Sequence, residues 1–164
     1  MRYPILFTGA NKAMVVLGII PRQAYVDLSS TDITVRMGWA FRAVIPRAAV
    51  MAAEHDDGRV TGWGVHGWRG TWLVNGSADG LVRLDIDPPV KARTAMVPVR
   101  LRTLRVSLAD PTAFLADLAE RTKLAAQVVE QLEKGEKPDR EALLDLGGSE
   151  LTGLLDRPED GVED

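Results

Sequence analysis

At Asp110-Pro111 the hydrophobic period of this sequence changes. Before that point apolar residues alternate with polar ones, as half-buried strands require. After it they recur at helical spacing, as one face of an amphipathic helix requires. A chain patterned in this way builds a sheet first and follows it with helix. The strand runs are short and separated by turn residues, which points to a small antiparallel barrel or sandwich.

The strands can be placed one by one. Ala24, Val26 and Leu28 alternate in one run, and Ile33, Val35 and Met37 in the next, with Ser29-Ser30-Thr31-Asp32 as the turn of a hairpin. Trp39, Phe41, Ala43 and Ile45 continue the alternation until Pro46 interrupts it, and Ala49–Glu54 forms the next strand. Asp56-Asp57-Gly58 is a turn. Residues 62–74 read as one strand, whose period sets Trp68, Gly70, Trp72 and Val74 on one face. After the turn Asn75–Gly80, Val82, Leu84 and Ile86 alternate until Pro88-Pro89 ends the strand, because proline donates nothing to the ladder. Val97, Val99 and Leu101 form one alternating set and Leu104, Val106 and Leu108 another. The phase changes at Thr103, where a bulge or bend is expected. Asn11–Leu17 fits either a short helix or a strand.

The helical part opens with Asp110 as N-cap and Pro111 at the first helical position, where its missing N–H costs nothing. Phe114, Leu115, Leu118, Ala125, Val128, Val129 and Leu132 carry the apolar stripe towards Gly135, with a joint expected at Arg121-Thr122-Lys123. Asp139 caps a short helix, Arg140–Leu146, ended by Gly147-Gly148, and Ser149–Leu155 adds a turn or two. Arg157–Asp164 has the composition of a disordered tail. The expected division is therefore 1–122, a β-domain with its capping helix; 123–156, an acidic helical extension; and 157–164, the tail.

Charge divides at the same place. Residues 1–110 carry 14 Lys and Arg against 9 Asp and Glu, whereas residues 111–164 carry 6 against 14. The net charge of -3 is the near-cancellation of a basic strand region and an acidic helical one. Zero cysteines remove disulfides and thiolate chemistry, and only two histidines, His55 and His66, leave little for a His-rich metal site. No cofactor is expected. The longest apolar run, Ala13–Ile20, is far shorter than the about 20 residues of a membrane-spanning helix. No secretory signal is evident, and the expected location is cytoplasmic.

The order of elements is similar to bacterial pleckstrin-homology-like domains, β-rolls closed by one C-terminal helix. The ending Leu104-Arg105-Val106-Ser107-Leu108-Ala109-Asp110-Pro111-Thr112-Ala113-Phe114-Leu115 resembles the last strand and capping helix of that family. The segment Gly64–Ser77 resembles uncharacterised actinobacterial proteins of the same broad type. The resemblance spans residues 20–122 and implies a binding or scaffolding module, with no catalytic residues to carry over.

The candidate ligand residues are Trp68, Arg69, Trp72, His66 and Arg42. Trp68 and Trp72 around Arg69 read as a stacking platform for a flat ligand, with Gly67 and Gly70 allowing close approach, or else as large rings filling the core. His66 is a candidate acid or base and reads as a pocket residue, as the base of a hydrolase with Asp85 or Asp87, or as a hydrogen-bonded strand histidine. Asn75–Gly80 imitates the start of a calcium loop but has Ile86 where the bidentate Glu belongs, so it reads as a hairpin turn. Arg36, Arg42, Arg69, Arg83, Arg100, Arg102 and Arg105 fall mostly on the polar phase of their strands. Clustered, they attract lipid or other phosphate groups; scattered, they are a solvated face. The functional expectation is a non-enzymatic binding or scaffolding module whose protein partner, or second copy, engages strand edges or residues 124–155. The alternatives are a small-ligand or lipid-binding barrel and a hydrolase around His66. Nucleic acid is not the expected partner.

Overall fold

A computed structural model describes residues 1–8, 18 and 20–146. Within them the chain is mainly β with helix on its C-terminal side, as the change of period requires. Nine strands form one mostly antiparallel sheet: β1 (Arg2–Pro4), β2 (Ala24–Leu28), β3 (Asp32–Met37), β4 (Phe41–Pro46), β5 (Val50–His55), β6 (Gly64–Trp68), β7 (Thr71–Asn75), β8 (Leu81–Thr94) and β9 (Val97–Ser107). Helices α1 (Pro111–Glu133) and α2 (Arg140–Asp145) follow. The chain divides into two compact units, Met1–Asp117 and Leu118–Asp164. The alternatives for Asn11–Leu17, the turns over Ser149–Leu155 and the expected tail lie outside the described residues.

The strand order is β1-β2-β3-β4-β8-β9-β7-β6, with β5 beside β8. Among the nine described strands only β7 and β9 pair in parallel. Just past β1, Ile5 bridges Leu108 beyond β9, and Leu6 N–H donates to the Ser107 carbonyl at 2.9 Å. The start of the path thereby meets the end of β9 as well as β2. Register then decides which side chains face inward. Val26, Val35 and Ala43 stand opposite one another on β2, β3 and β4 and are buried. Their neighbours on the other phase face out. Leu84, Leu101, Leu104 and Val106 complete the interior from β8 and β9.

The first unit ends with the opening turns of α1. Asp110 caps them, its carboxylate accepting from Ala113 N–H at 2.9 Å. Phe114 is fully buried, with its ring 5.2 Å from that of Tyr3 in an edge-on arrangement. Burying such a side chain stabilises the unit by about 2–3 kcal/mol. The Tyr3 hydroxyl donates to the Asp117 carboxylate, one turn further along. In the second unit, the Asp139 carboxylate accepts from Glu141 N–H at 3.1 Å and caps α2 as expected.

Five local expectations are corrected. The helix does not break at Arg121-Thr122-Lys123: α1 is continuous, and the Thr122 hydroxyl donates back to the Leu118 carbonyl at 2.7 Å, a bond the helix accommodates. Trp39 is not in a strand but in the turn Gly38–Ala40 between β3 and β4. Pro88-Pro89 does not end a strand, since β8 runs through it. Ladder pairs link β8 to β5 as far as Ile86 and to β4 from Ala92, so the prolines fall where the neighbour changes and no donor is needed. The register with β9 slips between Asp85 and Val90, so the irregularity expected at Thr103 lies at that level with its extra residues in β8. Residues 62–74 are not one strand, with consequences for the candidate site.

Candidate functional site

Trp68-Arg69-Gly70-Thr71 is the two-residue turn of the β6–β7 hairpin, with φ of 50° at Arg69 and 94° at Gly70. Both central residues are left-handed, which suits the twist of a tight hairpin. The turn pairs Trp68 with Thr71 and Gly67 with Trp72. Trp68 and Trp72 therefore lie on opposite faces and make no shared platform, and Trp68, 75% exposed, fills no core. Trp72 is half-buried across Gly67, where an added Cβ would collide with the indole ring. The glycine makes room for the ring within the hairpin rather than for a ligand.

His66 is exposed, and its Nε2 is hydrogen-bonded to the Trp63 carbonyl. The hydrolase pairing is not formed with Asp85, whose carboxylate accepts from Arg83 at 3.1 Å and Thr103 at 3.0 Å. The Asn75–Gly80 segment is a structural turn. Asn75 is fully buried and donates to the carbonyls of Gly62 at 3.1 Å and Ser77 at 3.0 Å. Among the described residues no three acidic or histidine side chains gather as a metal site.

Asp56 and Arg105 fix the loop that leads to β6. The Arg105 guanidinium forms an ion pair with the Asp56 carboxylate and donates to the Gly58 carbonyl at 2.8 Å. Burial pushes the Asp56 carboxyl up. The hydrogen bond from Arg105, the Gly58 N–H and the charges of Arg105 and Arg83 more than offset this and hold it below the ordinary carboxylate range.

Arg42 belongs to a different surface. On β4 it stands opposite Arg36 of β3 on one side and Arg93 of β8 on the other. All three are exposed on the outer face of the sheet. A second pair of opposed cations, Lys91 of β8 and Arg100 of β9, lies beside them. Directly opposed residues on antiparallel strands are about 5 Å apart, so three guanidinium stems start within roughly 10 Å. Among the described residues none of these five cations forms an ion pair. Elsewhere on the sheet Asp27 pairs with Arg2 at 3.0 Å and Asp85 with Arg83. Arg42, Lys91 and Arg93 line an open groove of about 330 Å³, floored by Ala43 and Ala92 and flanked by Val44 and Pro98.

Of the sequence candidates, Trp68, Arg69, Trp72 and His66 share the β6–β7 hairpin, and Arg42 is separated from it by β8 and β9 in the strand order. Arg93 and Lys91 escaped the sequence reading because β8 was ended at the prolines. The signal that would have found them is Lys91-Ala92-Arg93, which keeps the outer phase of a strand. In the second unit Val129, Leu132 and Leu144 are exposed apolar residues within 124–155. No helix among the described residues is long and apolar enough to cross a membrane. Comparison with protein-family models, curated proteins and solved structures finds no match for this chain.

Proposed function

We propose that this chain is a non-enzymatic binding module, built on a β-roll of the pleckstrin-homology-like type and acting in the cytoplasm, whose partner is anionic and is held on the outer face of β3, β4, β8 and β9. The observation that carries this reading is the row Arg36–Arg42–Arg93. Like charges directly opposite on neighbouring strands destabilise a sheet, and here two successive pairs repel with no carboxylate between them. An anion seated across the row relieves that repulsion. Arg is suited to the role, since its planar fork binds phosphate oxygens in pairs.

The test is titration calorimetry of the full chain with short-chain polyphosphate. The expected result is salt-sensitive binding that the double variant Arg42→Glu/Arg93→Glu abolishes. Equal binding by that variant would refute the reading. A second reading, a protein partner adding a strand to β6, is favoured by the position of β6 at the end of the strand order beside an exposed Trp68.

A further inference from the structure

We infer that β6 pairs edge to edge with the β6 of a second copy of this chain, about a two-fold axis at His66. The inference rests on the second reading of β6, makes its partner specific and is independent of the arginine row. A strand at the rim of a sheet exposes unpaired N–H and C=O groups and is commonly blunted by charge, proline or a bulge. β1 has Arg2 and Pro4, and the segment after it is bonded to the end of β9. β5 has a register shift between Val50 and Ala52 and an exposed Glu54. β6, Gly64-Val65-His66-Gly67-Trp68, has no lysine, arginine, carboxylate or proline and no register shift. Among the described strands only β7 pairs with it.

The hairpin turn decides which backbone groups are free. Trp68 and Thr71 flank a two-residue turn and bond across it, so the alternation along β6 gives Gly64, His66 and Trp68 their bonds to β7. The N–H and C=O groups of Val65 and Gly67 then point to the open edge. Opposed residues on antiparallel strands point to one face, so a two-fold axis falls on a residue and not between two. An axis at His66 sets Val65 against the second copy's Gly67, and Gly67 against its Val65, and every free group of both residues is used. An axis at Val65 would set Gly67 against Trp63, whose carbonyl is already hydrogen-bonded to His66 Nε2. An axis at Gly67 would set Val65 against Arg69, which the turn holds at a φ of 50°, outside the extended range.

The side chains select the same register. It sets the exposed Trp68 against the second copy's Gly64, in a pair that exchanges no hydrogen bonds and whose side chains therefore lie close. Gly67 and Trp72 form the same kind of pair inside the hairpin, where the indole fills the space an added Cβ would need. The two-fold axis covers the tryptophan of both copies at once. An isologous interface requires such a match of one surface to itself, and β6 supplies it with tryptophan at one end and glycine at the other. A foreign strand would have to carry an aromatic residue and a glycine at that same spacing.

A short strand makes a small interface, so the full chain is sedimented over a range of concentrations reaching millimolar. The expected result is a concentration-dependent dimer. His66 is exposed and accepts substitution. The residue at the axis meets its own copy, so His66→Lys and His66→Glu should each weaken the dimer about fivefold or more, and an equimolar mixture of the two should restore it. The chain has no cysteine of its own. His66→Cys should therefore give a disulfide dimer under mild oxidation, since the Cα atoms of such a pair lie about 4.5 Å apart. Trp68→Cys, about 13 Å from its own copy along the strands, should not. A chain that is monomeric at every concentration, a mixture no better than either variant alone, or equal disulfide yields at the two positions overturns the inference. A Thr-Val repeat peptide, followed through the Val65 and Gly67 amides of the full chain, separates the two readings of β6. If the peptide binds a monomeric chain, strand addition stands and self-pairing is refuted. If it does not bind a monomeric chain, both are refuted.

Discussion

The β6–β7 and β8–β9 hairpins share a turn geometry and differ in what their tips do. Each turns in two residues, both with positive φ. In β6–β7 one of those residues is glycine, and Trp72 folds back across Gly67. In β8–β9 neither is glycine, the tip is apolar and exposed, and cations line the outer face just behind it. The first packs Trp72 within itself and leaves Trp68 exposed. The second holds strain and unneutralised charge at one end of the sheet, the pattern expected where an interaction outside the chain repays both.

The largest effect that separates the two should come from Trp72→Ala. Losing the indole from Gly67 is expected to cost about 2–3 kcal/mol in denaturant unfolding, with polyphosphate affinity unchanged. Asp56→Asn, which breaks the ion pair fixing the loop before β6, should cost about 2 kcal/mol at pH 7. The folded carboxyl lies below its unfolded value, so the stability it contributes is present above the unfolded pKa and is lost as pH falls through the folded one. Melts of wild type and Asp56→Asn should therefore converge below about pH 4. Replacing Ala95-Met96 by Asn-Gly should act in the opposite direction, stabilising the chain by about 1 kcal/mol with polyphosphate affinity unchanged. The smallest effect belongs to Arg42→Glu. It relieves two like-charge pairs and should stabilise the fold by about 0.5 kcal/mol even as anion binding drops. Loss of stability in either of the last two variants would remove the contrast between the hairpins.

Much of the fold was legible because it is written in local patterns. The hairpin over Ala24–Met37, the Asp110 cap and the buried Phe114 follow from alternation, capping chemistry and helical spacing. The candidate site was less legible. Arg69-Gly70 lacks the Asn-Gly signal of a tight turn, so two strands read as one and Trp68 and Trp72 were put on the same face. Arg36 and Arg42 carry the polar phase of neighbouring strands, but their adjacency to Arg93 and Lys91 was not legible, because register between strands distant in sequence leaves no trace in either strand alone. Pro88-Pro89 hid Arg93, since a proline that breaks most strands is accepted where β8 changes partner.

The account's central claim is that anion binding belongs to the arginine row and not to the tryptophan hairpin. Amide NMR of the full chain during polyphosphate titration tests it most directly. Shifts at Arg36, Arg42, Ala43, Ala92 and Arg93, with Gly67–Thr71 unmoved, are the predicted result. Shifts confined to Gly67–Thr71, with the row unmoved, would contradict it.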